Sequence, residues 1–493
     1  MERDSIELRS VRTHVRGTPS LESQGEVNSE DQPAGFENIV SDNEGCPDGG
    51  RKAYSVLFGC FIGLISNLGV INSIGAVQAY VSEHQLKTVQ TSTVAWVFSI
   101  YLALAYAIGL FIGPVFDRKG TKGLLICATI LIFVGFIATA NSTNVWQFIL
   151  SLSICVGVGN ALAMTPLVGV VNHWFFVKRG NATGIATSGG SVGGLAIPLM
   201  LRHLYPRYGF QWAIRILAFF CCGCMIIATI LVDERVRKTK EEVEEDEAEE
   251  TDHLSESASA ITSEGEKNVG IADKLISIVK IVGVSMYSTI ANLSFKSLKE
   301  LKYTFLICGA FCGELSLILI VTYFATYAIA QGVSESTSYL LLTVWNATGI
   351  LGRWVPGYFS DYLGKYNMNL LMITGLDICI FALWLPFGYS LTVLYVFASF
   401  GGFFSGSILS MLPACLGQIS PVREFGERYG LLSAFLSIGN LVGVPIGAAI
   451  IGDGSQHNYD MFVVLVGVLC TFGIFFWAVS RYFIVGFKIN VKV

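Results

Sequence analysis

The sequence predicts an all-α polytopic membrane protein, with twelve transmembrane helices arranged as two six-helix bundles. Three observations carry that prediction. Twelve apolar runs are each long enough to cross a bilayer, basic residues concentrate in alternate connections, and a short motif recurs at the same place in each half. Composition agrees: 53% of the 493 residues are hydrophobic and 14% are charged, against about 25% charged in soluble domains. Charge inside hydrocarbon costs several kcal/mol, so its depletion is a membrane signal.

A spanning helix needs about 20 apolar residues. The first half supplies runs at 54–79, 93–113, 123–140, 145–170, 181–201 and 211–232. The second supplies 303–331, 337–357, 369–388, 391–415, 427–452 and 459–484. The runs are too continuous for barrel strands, whose apolar residues alternate.

The charges set orientation. Arg51 and Lys52, Arg118 and Lys119, Lys178 and Arg179, Arg235 to Lys240, Lys365, Arg423 and Lys488 all fall on one side. The other side holds Lys87, Arg202 and Arg207. The positive-inside rule then places both termini in the cytoplasm, which an even number of spans requires.

The expected organisation follows from these limits. Residues 1–50 form a disordered cytoplasmic tail and 51–232 the N-terminal bundle. Residues 233–302 form a cytoplasmic linker, 303–485 the C-terminal bundle and 486–493 a short cytoplasmic tail. The linker opens with the acidic run Glu241 to Glu250, read as solvated. At 271–299 it alternates Ile276, Val279, Val282 and Leu293 with Lys274, Lys280, Lys296 and Lys299, the pattern of an amphipathic helix on the inner leaflet. Twelve cysteines are spaced irregularly, mostly inside apolar runs, and read as small buried hydrophobes. No metal cluster, nucleotide loop or nucleophile constellation is present, and no basic aromatic stripe for nucleic acid. The chain is therefore expected to be no enzyme, to need no cofactor and to have the lipid bilayer as its main surroundings.

The repeated motif is Gly113-Pro-Val-Phe-Asp117-Arg118-Lys119-Gly120 between the second and third runs, and Gly357-Tyr-Phe-Ser-Asp361-Tyr-Leu-Gly364 between the eighth and ninth. Glycine lets helices approach closely. The aspartate can accept from a helix N-terminus or pair with an arginine, so the motif reads as a latch on an inner gate. A tight turn capped by aspartate is the simpler alternative, and the duplication argues against it. Tyr362 stands where the first copy has Arg118, which predicts a weaker second latch.

The motif resembles that of the major facilitator superfamily, whose two bundles rock around a central cavity. Asp48-Gly49-Gly50 before the first run, and Phe175 to Gly194 at the fifth, resemble the signature stretches of its monocarboxylate transporter-like family. Gly352-Arg353-Trp354-Val355-Pro356-Gly357 and Glu424-Phe425-Gly426-Glu427-Arg428-Tyr429 resemble the fungal branch of that family. Two departures stand out. Asn72 occupies a position where the animal carriers have a lysine, and Gly349 one where they have an aspartate.

Candidate binding residues are the polar groups within the runs. Arg353 would hold an anionic or carbonyl-rich solute, or else serve structure by bonding backbone or Asp361. Glu314 lies about 16 Å along its helix, at mid-membrane depth, as a proton site, a partner of Arg353 or a protonated carboxyl. Asp377 is a similar group in a helix expected at the periphery. Asn67, Asn72, Asn346 and Asn440 offer amides, while Tyr323, Tyr327 and Trp345 offer aromatic faces. Each asparagine can instead bond between helices. The resemblance implies a plasma-membrane carrier that functions as a monomer and takes up riboflavin by facilitated diffusion. The alternatives are a proton-coupled symporter of monocarboxylates or other organic anions, and a nutrient receptor that does not transport.

Overall fold

A computed structural model describes residues 47–235, 295–452 and 454–487. Most of the expected N-terminal tail, acidic run and amphipathic helix lies outside these residues. Of the last, only a 3-10 turn at Phe295–Lys299 is described.

The long apolar runs become helices because hydrocarbon leaves no other partner for backbone N–H and C=O groups. They are α1 (Arg51–Glu83), α2 (Thr93–Lys119), α3 (Lys122–Ala140), α4 (Val145–Trp174), α7 (Leu301–Ala330), α8 (Glu335–Leu363), α9 (Lys365–Phe387), α10 (Leu391–Ile419), α11 (Phe425–Ile451) and α12 (Gln456–Val485). Between α4 and α7, Arg179–Leu231 is helical throughout but turns at Gly209, whose φ of 72° breaks it into α5 (179–208) and α6 (210–231). Residues 202–210, expected as a loop, are therefore helical up to that glycine, and Arg202 and Arg207 ride exposed on α5. Among the described residues, ten helical stretches are long and apolar enough to cross a membrane. The division at Gly209 adds one, and the 29-residue α8, made more polar by its motif, completes twelve.

Two helices carry π-helical segments, Ile149–Val156 in α4 and Ile380–Trp384 in α9. The side chains of Ser334 and Ser455 cap α8 and α12.

A 30-residue helix is about 45 Å long, against a hydrocarbon core of about 30 Å. The surplus explains the main difference from the expected boundaries. Both motifs, read as loops, are the last helical turns of α2 and α8, since polar helix needs no lipid once it has left the membrane. Each ends at the motif's final glycine, Gly120 at φ 80° and Gly364 at φ 92°, which is backbone that side chains resist.

Within the first half α1 packs on α5 and α6; within the second, α7 packs on α12 and α8 on α10. The halves meet chiefly through α2 on α11 and α5 on α8.

Candidate functional site

At the motif face the halves are joined crosswise. Asp117 of α2 accepts from the backbone N–H of Gly426 (2.9 Å) and Glu427 (2.8 Å), in the first turn of α11. Asp361 of α8 accepts from Gly180 (2.8 Å) and Asn181 (3.0 Å), in the first turn of α5. Each carboxylate thus sits on unsatisfied N–H groups at a helix's positive end. Each latch gives one carboxylate two backbone N–H donors, Asp361 in the second copy as Asp117 in the first. Tyr362, at the position of Arg118 in the second copy, is exposed beside Tyr358.

Close packing makes the latches reachable. A Cβ at Gly357 would lie 2.7 Å from the Gly180 carbonyl oxygen, and one at Gly426 would lie 2.6 Å from that of Gly113. Arg179, fully buried at the start of α5, adds a bond across the halves from its guanidinium to the Gly417 carbonyl of α10.

Deeper in the membrane lies a polar cluster shared by both halves. Arg353 of α8 donates to the Thr187 carbonyl of α5 (2.7 Å). Tyr106 of α2 donates to Glu314 of α7 (3.4 Å). Arg353, Glu314 and Tyr106 are all buried and near enough to feel one another's charge, with Tyr429 of α11 beside them. The second Glu314 oxygen and Arg353 Nε have no protein partner. Unmet buried groups of this kind cost about 1–3 kcal/mol each, more when charged. Above the arginine, Asn72 donates to the Gly190 carbonyl (3.1 Å), and both Asn72 and Asn346 flank Gly194. Asn346 also bonds its own helix at Leu342. The Asn440 amide is 1% exposed and neither of its polar atoms has a partner.

The structure thus gathers Arg353, Glu314, Asn72 and Asn346 along the seam between halves. It does not bring the aromatic candidates there. Tyr323 donates to the Val444 carbonyl within the second half. Tyr327 is walled in by Trp384 and Tyr459, and Trp345 by Gly401, Phe324 and Phe397. Their faces are taken up by helix packing. Asn67 bonds the Asn160 carbonyl inside the first half, and Asp377 accepts from Thr471 of α12. Sequence reasoning missed Tyr106, Tyr429 and Thr187. Aromatic residues are common in apolar runs, and Thr187 contributes only its backbone.

Twelve helices in two bundles, latched crosswise at one face over a buried polar seam, define a membrane carrier, and the family comparison agrees. The Major Facilitator Superfamily model matches residues 57–400 and 369–485, and the chain belongs to that superfamily. It is a transporter and not an enzyme. Among known proteins it is similar to the riboflavin transporter MCH5 of Saccharomyces cerevisiae, at 37% identity over 90% of this chain and 81% of the relative. It is also 31% identical to MFS-type transporter 1 of an Ophiocordyceps species, over 91% of this chain and 89% of that one. The fujikurins efflux protein of Gibberella fujikuroi is 28% identical, over 87% and 83%.

Proposed function

We propose that this chain takes up riboflavin across the plasma membrane by alternating access, as a monomeric, monocarboxylate transporter-like facilitator with both termini in the cytoplasm. The observation that carries the transport reading is the stacking of a two-half polar cluster directly behind two breakable latches. With the basic motif face inside, the latched conformation is closed to the cytoplasm. Solute entering the seam would meet Arg353 and Glu314 and replace the partners they lack. Asn72, Asn346 and Asn440 would offer amide bonds to its polar edge. Binding there competes with the Arg353–Thr187 and Tyr106–Glu314 bonds that hold the halves together, and so favours their separation. The choice of solute is supported by the yeast relative.

A second reading, proton symport of an organic anion, is favoured by the unpartnered Glu314 oxygen in the seam. Labelled riboflavin uptake into yeast lacking its own carrier, with and without a protonophore, separates the two. Uptake that survives the protonophore and the Glu314→Gln change supports the facilitator. Uptake that collapses with the protonophore moves the mechanism to symport, while loss with Glu314→Gln alone marks Glu314 as a solute contact. Absence of riboflavin uptake by surface-expressed protein refutes the substrate, and outward flux against the inward direction would align the chain with its efflux relatives.

A further inference from the structure

The latch aspartates explain one side of each latch; something must also hold the other side, the helix N-terminus that receives them. In the first half that N-terminus follows the short connection 175–178. Asp48, three residues before α1, grips this connection from both ends. Its Oδ1 accepts from the N–H groups of Phe176 (2.8 Å) and Lys178 (3.1 Å), and its own N–H donates to the Trp174 carbonyl (3.2 Å). To do so it adopts a φ of 46°, which non-glycine residues disfavour. Asp48 is also close enough to Asp361 and Lys365 for its charge to act on both.

The second half repeats the arrangement with different chemistry. Glu300, immediately before α7, takes Arg428 through its two terminal guanidinium nitrogens, at 2.8 and 3.3 Å. Arg428 in turn donates to the Ile419 carbonyl at the end of α10 (3.3 Å), and its own carbonyl accepts from Tyr303 (2.6 Å). Arg428 lies one residue beyond Glu427, whose N–H serves Asp117. In each half, an acidic residue ahead of the first helix holds the start of the fifth, Asp48 through the connection at 176–178 and Glu300 through Arg428 in the first turns of α11.

We propose that Asp48 and Glu300 are positioning residues for transport, fixing the N-termini of α5 and α11 in register with Asp361 and Asp117. The segment leading into each bundle thereby sets the strength of the latch which that bundle receives. This rests on the reading of the motif face as a gate.

The test uses thiol labelling of purified full-length protein, read by mass spectrometry at two buried reporters. Ser360→Cys sits at the α5–α8 seam and Ser433→Cys at the α2–α11 seam. Asp361→Asn is the control for the gate itself. At the first reporter, Asp48→Ala should raise the labelling rate roughly threefold or more, the scale of coupling within one network. Asp48→Asn, which keeps an acceptor oxygen, should return it towards the parent. In an Asp361→Asn background, Asp48→Ala should add little, because both act on one latch. Glu300→Ala should behave in the same way at the second reporter, against Asp117→Asn. If Asp361→Asn opens the seam and Asp48→Ala does not, or if their effects multiply, the positioning role is wrong. If Asp361→Asn itself changes nothing, the gate reading fails and takes this proposal with it.

Discussion

Arg353 sits where a guanidinium is costly, and its surroundings meet only part of its need. The Thr187 carbonyl occupies one nitrogen, Glu314 supplies opposite charge nearby, and Nε is left over. Removing the guanidinium takes away the bond to the Thr187 carbonyl across the halves and the positive charge near Glu314. Arg353→Ala is therefore expected to cut uptake by an order of magnitude or more at matched surface expression, and Arg353→Lys to recover little of it. A compact ammonium cannot serve the carbonyl and the seam together. Parent-like uptake by Arg353→Lys would show that only the charge matters. Arg353, Glu314, Asn72 and Asn346 were legible in the sequence because polar groups in apolar runs stand out. The packing of Tyr327 and Trp345 against neighbouring rings was not legible, since an aromatic residue reads the same whether it faces a cavity or another ring.

At the scale of the helix, glycine rather than charge sets how close the gate can come. A methyl group on Gly357 must displace the Gly180 carbonyl at 2.7 Å, backbone that has no rotamer to escape into. Overpacking of this sort costs about 1–3 kcal/mol, and here it is borne only by the latched state. Gly357→Ala should leave folding intact while raising thiol access at the motif face and lowering uptake; unchanged access would mean that the helices slide to accommodate it. The clamp on α11 adds a pH dependence. Burial opposes charge on Glu300, but its hydrogen bonds and charge interaction with Arg428 prevail, aided by Lys302, and hold its carboxyl below the ordinary range. Its contribution to stability is thus complete above that range and disappears as pH falls through the lowered value. The melting temperature of the parent should exceed that of Glu300→Gln at neutral pH and converge with it in acid. A constant gap would assign the effect to packing. The repeat itself was readable from spacing, but its helical form was not. Length in excess of the bilayer shows only when the helix is built.

For the whole molecule, helix number and halves followed from hydropathy and basic residues, because a bilayer enforces both. What hydropathy does not carry is which helices of one half meet which of the other, and the crosswise pairing of α2 with α11 and α5 with α8 came only from the fold. That pairing attaches side-chain carboxylates to main-chain donors, and the two sides of such a bond differ in what heredity can alter. Every residue except proline presents an N–H. A saturation scan should thus find position 361 nearly closed to replacement while position 181, whose N–H it uses, accepts most residues and rejects proline. Lineages of this carrier could then vary the side chain at position 181 without loosening the gate, while Asp361 and the tightly packed Gly180 stay fixed.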